Sequence, residues 1–404
     1  MTYQAILTAS IFLLLAFAIE RFGRVSGIPS VIVLIAVGLV GKPVLATFGM
    51  SLEGIDVAVP ILGAVGLILI LLEGALDIEL RRERLRAAAG AILMAVVGFV
   101  VCTVVFALAA SLILSMSLRQ AAILSVPFAV ISSAIAIPSS SFLPAHGREF
   151  VVYESSISDI LGVMVFFALV NSRGTAKDVL LTLIGGGALS LLLAAICAVG
   201  LVLILMRIDG HIRFIPLLAG LFGLYAAGEL MHLSPLIMVL LFGLALNNPT
   251  LITRFRPFRR WVDNSYEATL KEFKFLTLEL TFAVRGFFFI LLGYWTDLSD
   301  LAYIEVWLAT AFILAVVYGS RYAIFRMVRS DLAGPLTWLA PRGLITVLLF
   351  LSAGEVLQLP HYLEGTVMLV VLVSAILVAR GRWCHNANIV TRIHPQTRST
   401  TPFE

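Results

Sequence analysis

Thirteen apolar runs separated by short polar segments fill nearly all of a 404-residue chain. They cover roughly 3–20, 27–46, 56–77, 88–115, 119–142, 150–171, 178–206, 213–231, 233–248, 274–296, 301–325, 335–356 and 361–380. About 20 apolar residues in a helix cross the ~30 Å hydrocarbon core of a bilayer. Only 13% of the residues are charged, against about 25% in a soluble domain. The pattern predicts an all-α polytopic membrane protein with about 13 transmembrane helices. The first run lacks a basic flank and a small-residue cleavage site, so it reads as a retained span and not a signal peptide. The polar stretch 381–404 reads as a short, mobile cytoplasmic tail.

Basic residues test the count independently. Of the 28 Lys and Arg, 21 fall in loops after odd-numbered runs or in the tail, and four (Lys42, Arg119, Arg173 and Lys177) fall on the other side. This asymmetry predicts an outside N-terminus and a cytoplasmic C-terminus. It also explains a pI near 9.1 without nucleic acid. Three basic residues remain inside runs: Arg285, Arg321 and Arg342.

With run 7 as a linker, runs 1–6 and 8–13 become two inverted six-helix repeats, a common design of secondary transporters, whose ion sites lie where corresponding helices are broken at mid-membrane. Run 5 carries Pro127 and Pro138, and run 12 carries Pro341 and Gly343. Proline removes a backbone donor, and in lipid the carbonyl so freed must find another partner. Discontinuous helices 5 and 12 are therefore expected.

Run 6 contains Glu154 and Asp159. An acid inside a span is costly and usually faces a polar cavity. Ser155, four residues before Asp159, shares its helical face, and Ser158 adjoins it. A carboxylate among hydroxyls is a hard-oxygen site suited to H⁺, Na⁺ or Li⁺; the alternative is a structural acid capped by hydroxyls or paired with arginine. Glu154 lies about 140° around the helix from Asp159, so a structural ion pair is expected for it, with Arg321 first and Arg342 second. Arg342 either compensates the carbonyl end of the break at Pro341 or anchors at the interface. Glu73, ending run 3, is a gate or a solvated helix end. Arg285 has no partner at helical spacing, Glu279 being six residues away.

The six histidines sit in loops, at helix ends or in the tail without metal spacing, and no nucleotide loop or nucleophile–base set is present. This argues against an ATP-driven pump and an intramembrane metalloprotease; no enzyme activity, cofactor, nucleotide or resident metal is expected. Three cysteines imply no disulfide framework.

At these residues the chain resembles the monovalent cation/proton antiporter superfamily, nearest its sodium/proton exchanger branch. LLEGALDIELRRERLR is similar to the acidic end of span 3, YESSISDILGVMVF to span 6, LYAAGELMHLSPLIMVLLFGLALNN to spans 8–9, and GSRYAIF and APRGLITVLLF to spans 11 and 12. The resemblance implies a dimerisation domain (1–87, and 178–300 with the linker helix) and a core (88–177 and 301–380) that moves like an elevator. It also implies a homodimer in the lipid bilayer of the plasma (inner) membrane, with Asp159 binding either a cation or protons. Two features depart from the family: Ser158-Asp159 replaces Asn-Asp or Asp-Asp, and run 5 lacks the Thr-Asp of exchangers, leaving Ser132 and Ser133 as neutral ligands.

One binding acid makes exchange one for one, hence electroneutral antiport of Na⁺ or Li⁺ for H⁺. Exchange of K⁺ for H⁺, a channel or sensor, and an organic-anion symporter are the alternatives on the same scaffold.

Overall fold

The helix from Arg82 to Ile113 shows how the chain meets its solvent. Leu93, Val96, Val100, Val104 and Leu108 are exposed on one face, while Met94, Ala95, Phe99, Cys102 and Phe106 are buried on the other. Both faces are apolar, so helical periodicity separates lipid from protein, as in a spanning helix.

The computed structural model describes residues 2–26, 29–47, 55–77, 82–172, 192–193, 196–197, 200, 214–230, 235–248, 264–296, 301–328 and 333–393. Among them no strand occurs. The helices are α1 (Thr2–Ser26), α2 (Ser30–Thr47), α3 (Ile55–Asp77), α4 (Arg82–Ile113), α5 (Leu118–Ala129), α6 (Ser133–Ser139) and α7 (Ala145–Asn171), then α8 (Phe214–Leu230), α9 (Pro235–Asn247), α10 (Asn264–Trp295), α11 (Ile304–Val328), α12 (Ala333–Trp338), α13 (Leu344–Val356) and α14 (Tyr362–Ile393). Among the described residues, six stretches are long and apolar enough to cross a membrane: Ala89–Ile113, Leu118–Phe142, Ala145–Asn171, Tyr266–Tyr294, Ile304–Met327 and Tyr362–Arg382. The seventh apolar run, 178–206, lies outside the described residues except at 192–193, 196–197 and 200.

Two helix boundaries lie furthest from the hydropathy reading. Helix α10 begins at Asn264, well before the run at 274, and Lys271 and Glu272 are exposed on it. Helix α14 continues to Ile393, through part of the stretch expected to be a mobile tail. Hydropathy marks where lipid ends, whereas the i→i−4 hydrogen bonds of a helix continue through polar residues.

The helices pack as two sets. In the first, α10 lies against α1, α2 and α3, α3 against α9, and α9 against α8. In the second, α4 lies against α5, α7 and α11, α5 and α6 against α7, α13 against α5, and α14 against α11 and α12. Glycine brings the first set close: a Cβ on Gly38 of α2 would meet the backbone of Ile290, Gly293 and Tyr294 on α10, and one on Gly293 would meet the Ile35 carbonyl. Small residues permit such backbone approach in membranes, where burial of apolar surface drives no helix association.

Side chains also close the helix ends of the second set. Ser117 and Gln120 form a capping box at the start of α5. Arg119 donates to the carbonyls of Leu169 (3.0 Å) and Val170 (2.8 Å), two of the last acceptors of α7, which the helix cannot itself satisfy. The sets meet where α7 contacts α3 and α9, where α13 contacts α3 and where α14 contacts α2.

Candidate ion site at two broken helices

Both expected interruptions occur. Helix α5 ends at Ala129, Val130 turns extended, and α6 starts at Ser133. Helix α12 ends at Trp338, and α13 begins at Leu344 after a non-helical segment. Pro341 lies within that segment, while Pro127 sits inside α5, ahead of its break. The two breaks cross: Ser132 N–H donates to the Pro341 carbonyl at 2.9 Å. Gly343 allows the crossing, since a Cβ there would run into the Ser132 side chain.

Each intramembrane arginine serves a carbonyl near these interruptions. Arg342, 1% exposed, donates from Nε to Phe128 O (2.7 Å) and from Nη1 to Ala340 O (3.1 Å). Its burial removes the interface-anchor reading. Ser374 Oγ on α14 accepts from its backbone N–H at 2.9 Å. Arg321 on α11 donates to both carboxylate oxygens of Glu154, the second at 3.0 Å, and from Nη2 to Leu336 O (2.8 Å) at the end of α12. Glu154 is 1% and Arg321 3% exposed; pairing with additional hydrogen bonds is what makes such charges tolerable in low dielectric. Arg285 on α10 donates from Nη1 to Ala134 O on α6 at 3.4 Å.

Asp159, 4% exposed, lies on α7 beside the first break. Its Oδ2 accepts from Ser133 N–H at 3.3 Å. Its Oδ1 is buried with no hydrogen-bond partner among the described residues. Ser158 turns the other way, its Oγ accepting from Ile131 N–H at 2.9 Å and anchoring the unwound segment to α7. Gly162, one turn beyond Asp159, leaves room for Val130, whose Cγ2 a Cβ would strike.

The five candidate ligands thus divide. Asp159 and Ser133 meet directly. Ser132 and Ser158 hold the crossing through Pro341 and Ile131. The Ser155 hydroxyl donates back to Val151 O at 2.8 Å on its own helix. Sequence reasoning missed Ser156, one turn before Asp159, whose Oγ is buried without a partner among the described residues. The signal available for it was its i, i+3 spacing from Asp159.

A cavity of about 930 Å³ runs between α1, α2, α3 and α10 on one side and α6 on the other. Glu20, Glu73, Glu279 and Arg285 line it, and Ser133 and Ala134 form part of its wall. It therefore reaches the residue that binds Asp159. Glu73 is half-buried and lines both this space and a smaller one beside Lys271 and Lys274. Among the described residues no group of three or more His, Cys, Asp or Glu could hold a metal ion.

The fold is similar to that of the sodium proton antiporter MjNhaP1 from Methanocaldococcus jannaschii. The structure at pH 8 superposes with a TM-score of 0.71 at 21% identity, covering 96% of this chain and 98% of that one. The structure from an electron-microscopy map gives 0.70 at 17% identity, covering 99% and 100%. No curated protein matches significantly. The family model described as "Sodium/hydrogen exchanger, transmembrane" matches residues 6–381. The chain is therefore an integral membrane protein belonging to the sodium/hydrogen exchanger family.

Proposed function

We propose that this protein exchanges a monovalent cation, Na⁺ or Li⁺ ahead of K⁺, for H⁺ at Asp159. The observation that carries the reading is Oδ1: a buried carboxylate oxygen without a partner among the described residues, beside the crossing of two broken helices. An unpaired carboxylate at membrane depth costs several kcal/mol. A proton or a cation relieves that cost, and the same oxygen cannot hold both. Competition for one group is sufficient for antiport. The Ser133 N–H orients Oδ2 and leaves Oδ1 for the ion, with Ser155, Ser132 and Ser133 as neighbouring oxygens. Ser158 acts indirectly, by holding the unwound segment in place.

Glu154 is matched by Arg321, which leaves Asp159 as the titrating acid and makes the cycle electroneutral. Arg342 replaces cations or water at the carbonyls of the α5 break. Family membership supports the preference for Na⁺.

Alternating access is of the elevator kind. Segments 88–177 and 301–380 form the moving core, 1–87 and 178–300 form the dimerisation domain, and two copies assemble through the latter. The glycine-mediated crossing of α2 and α10 supports a rigid first set. The cavity lies at the ends of α1 and α14 that carry Arg21 and Arg382, the side expected to be cytoplasmic. It is the inward access path, with Glu73 as its gate.

Purified protein in liposomes with an imposed pH gradient and an internal pH dye tests the reading. Na⁺ or Li⁺ should dissipate the gradient without generating a membrane potential. A pH response to K⁺ alone, or a steady current, would overturn the ion preference or the stoichiometry respectively.

A further inference from the structure

The bond between Arg285 and Ala134 has an origin in the sequence four residues further on. In an α-helix the carbonyl of residue 134 accepts from the N–H of residue 138. Residue 138 is proline, inside α6, and supplies no donor. Ala134 O is thereby left needing a partner at membrane depth. Arg285 Nη1 provides one at 3.4 Å, and it comes from α10, in the other helix set. Ala134 O is also the Arg285 side chain's one acceptor among the described residues. The next residue back, Ser133, donates to Asp159, and Ser133, Ala134 and Arg285 line the same cavity.

We propose that Arg285 is a positioning residue that latches the first helix set to the ion site in this cavity-open arrangement, by replacing the donor that Pro138 removes. The latch rests on the reading that the two sets move relative to each other. When α6 shifts along α10, Arg285 and Ala134 O separate, and the carbonyl must be met by water or by the cation itself. The bond therefore favours the arrangement in which the cavity reaches Ser133, and it ties the geometry around Asp159 to the position of the sets.

The test is a double-mutant cycle read by thiol labelling. In a background with Cys102, Cys197 and Cys384 replaced by alanine, Gly74→Cys introduces a cavity-lining thiol, at a place where a Cβ has only an ordinary contact with Ser156. A membrane-impermeant maleimide then reports the open population. Arg285→Met removes the donor. Pro138→Ala restores an internal N–H and makes the arginine redundant. Each should slow labelling about threefold or more through a population shift, and together they should slow it no further than the slower single variant. Arg285→Lys, which keeps a donor, should label within about twofold of the parent. Pro138→Ala should be at least as thermostable as the parent, so the cycle does not depend on Arg285→Met folding well. Unchanged labelling in Pro138→Ala, or multiplicative effects in the double variant, would overturn the latch. Exchange assayed on the same proteins separates the two readings: a parent without exchange contradicts the proposed function, while the labelling cycle still decides the latch.

Discussion

Arg342 lies at the second helix break and donates to Phe128 at the first, 2.7 Å from Nε to the carbonyl oxygen. A side chain from one interrupted helix thus closes the end of the other. Arg342→Met would leave Phe128 O and Ala340 O short of a donor, at about 1–3 kcal/mol for each buried group. The expected result is a marked fall in apparent Tm in detergent, with Arg342→Lys intermediate. Thermal denaturation followed by fluorescence-detected size exclusion measures both.

The Glu154–Arg321 pair is expected to behave as a unit. Glu154→Gln or Arg321→Met alone strands a buried charge, and each should cost about 3–5 kcal/mol. The double variant Glu154→Gln with Arg321→Met removes both charges and should be less destabilised than the sum of the singles. Folded yield and Tm of the four proteins check this. Additive losses would show that the two residues act separately.

Much of this arrangement was legible because it rests on residues with strong signatures. Apolar runs marked the lipid-crossing segments, Pro127, Pro138, Pro341 and Gly343 pointed to the two breaks, and an acid inside run 6 pointed to a basic partner. Arg285 was illegible for a physical reason: its acceptor is a main-chain carbonyl 151 positions away, and a carbonyl has no residue type. The same holds for Ser158, which reads as a flanking hydroxyl ligand but binds the Ile131 N–H. Side-chain chemistry shows in a sequence, whereas the main-chain groups freed by a helix break show only once the chain is folded.

Ser158→Ala tests that role. It removes the acceptor of a buried N–H and loosens the segment carrying Ser133. We expect near-normal folded yield and a severalfold rise in the half-saturating Na⁺ or Li⁺ concentration, consistent with about 1 kcal/mol for a net hydrogen bond. Cation titrations of exchange in liposomes measure it.

Two glycines on α2 should respond differently to alanine. Gly38→Ala places a methyl group against the α10 backbone, whereas nothing lies within 4 Å of a Cβ at Gly41. Gly38→Ala should lower Tm and folded yield. Gly41→Ala should leave them unchanged or raise stability by up to about 1 kcal/mol through helix propensity. Equal effects at both positions would show that the α2–α10 crossing is not the close one described.

Competition between proton and cation at Asp159 is the central claim, and exchange kinetics against internal pH tests it most directly. Lowering the pH through the site's titration range should raise the half-saturating Na⁺ concentration, approaching tenfold per pH unit, while the maximal rate stays constant. Asp159→Asn should fold normally and exchange nothing. A maximal rate that falls with pH at constant half-saturation, or exchange surviving in Asp159→Asn, would contradict the account.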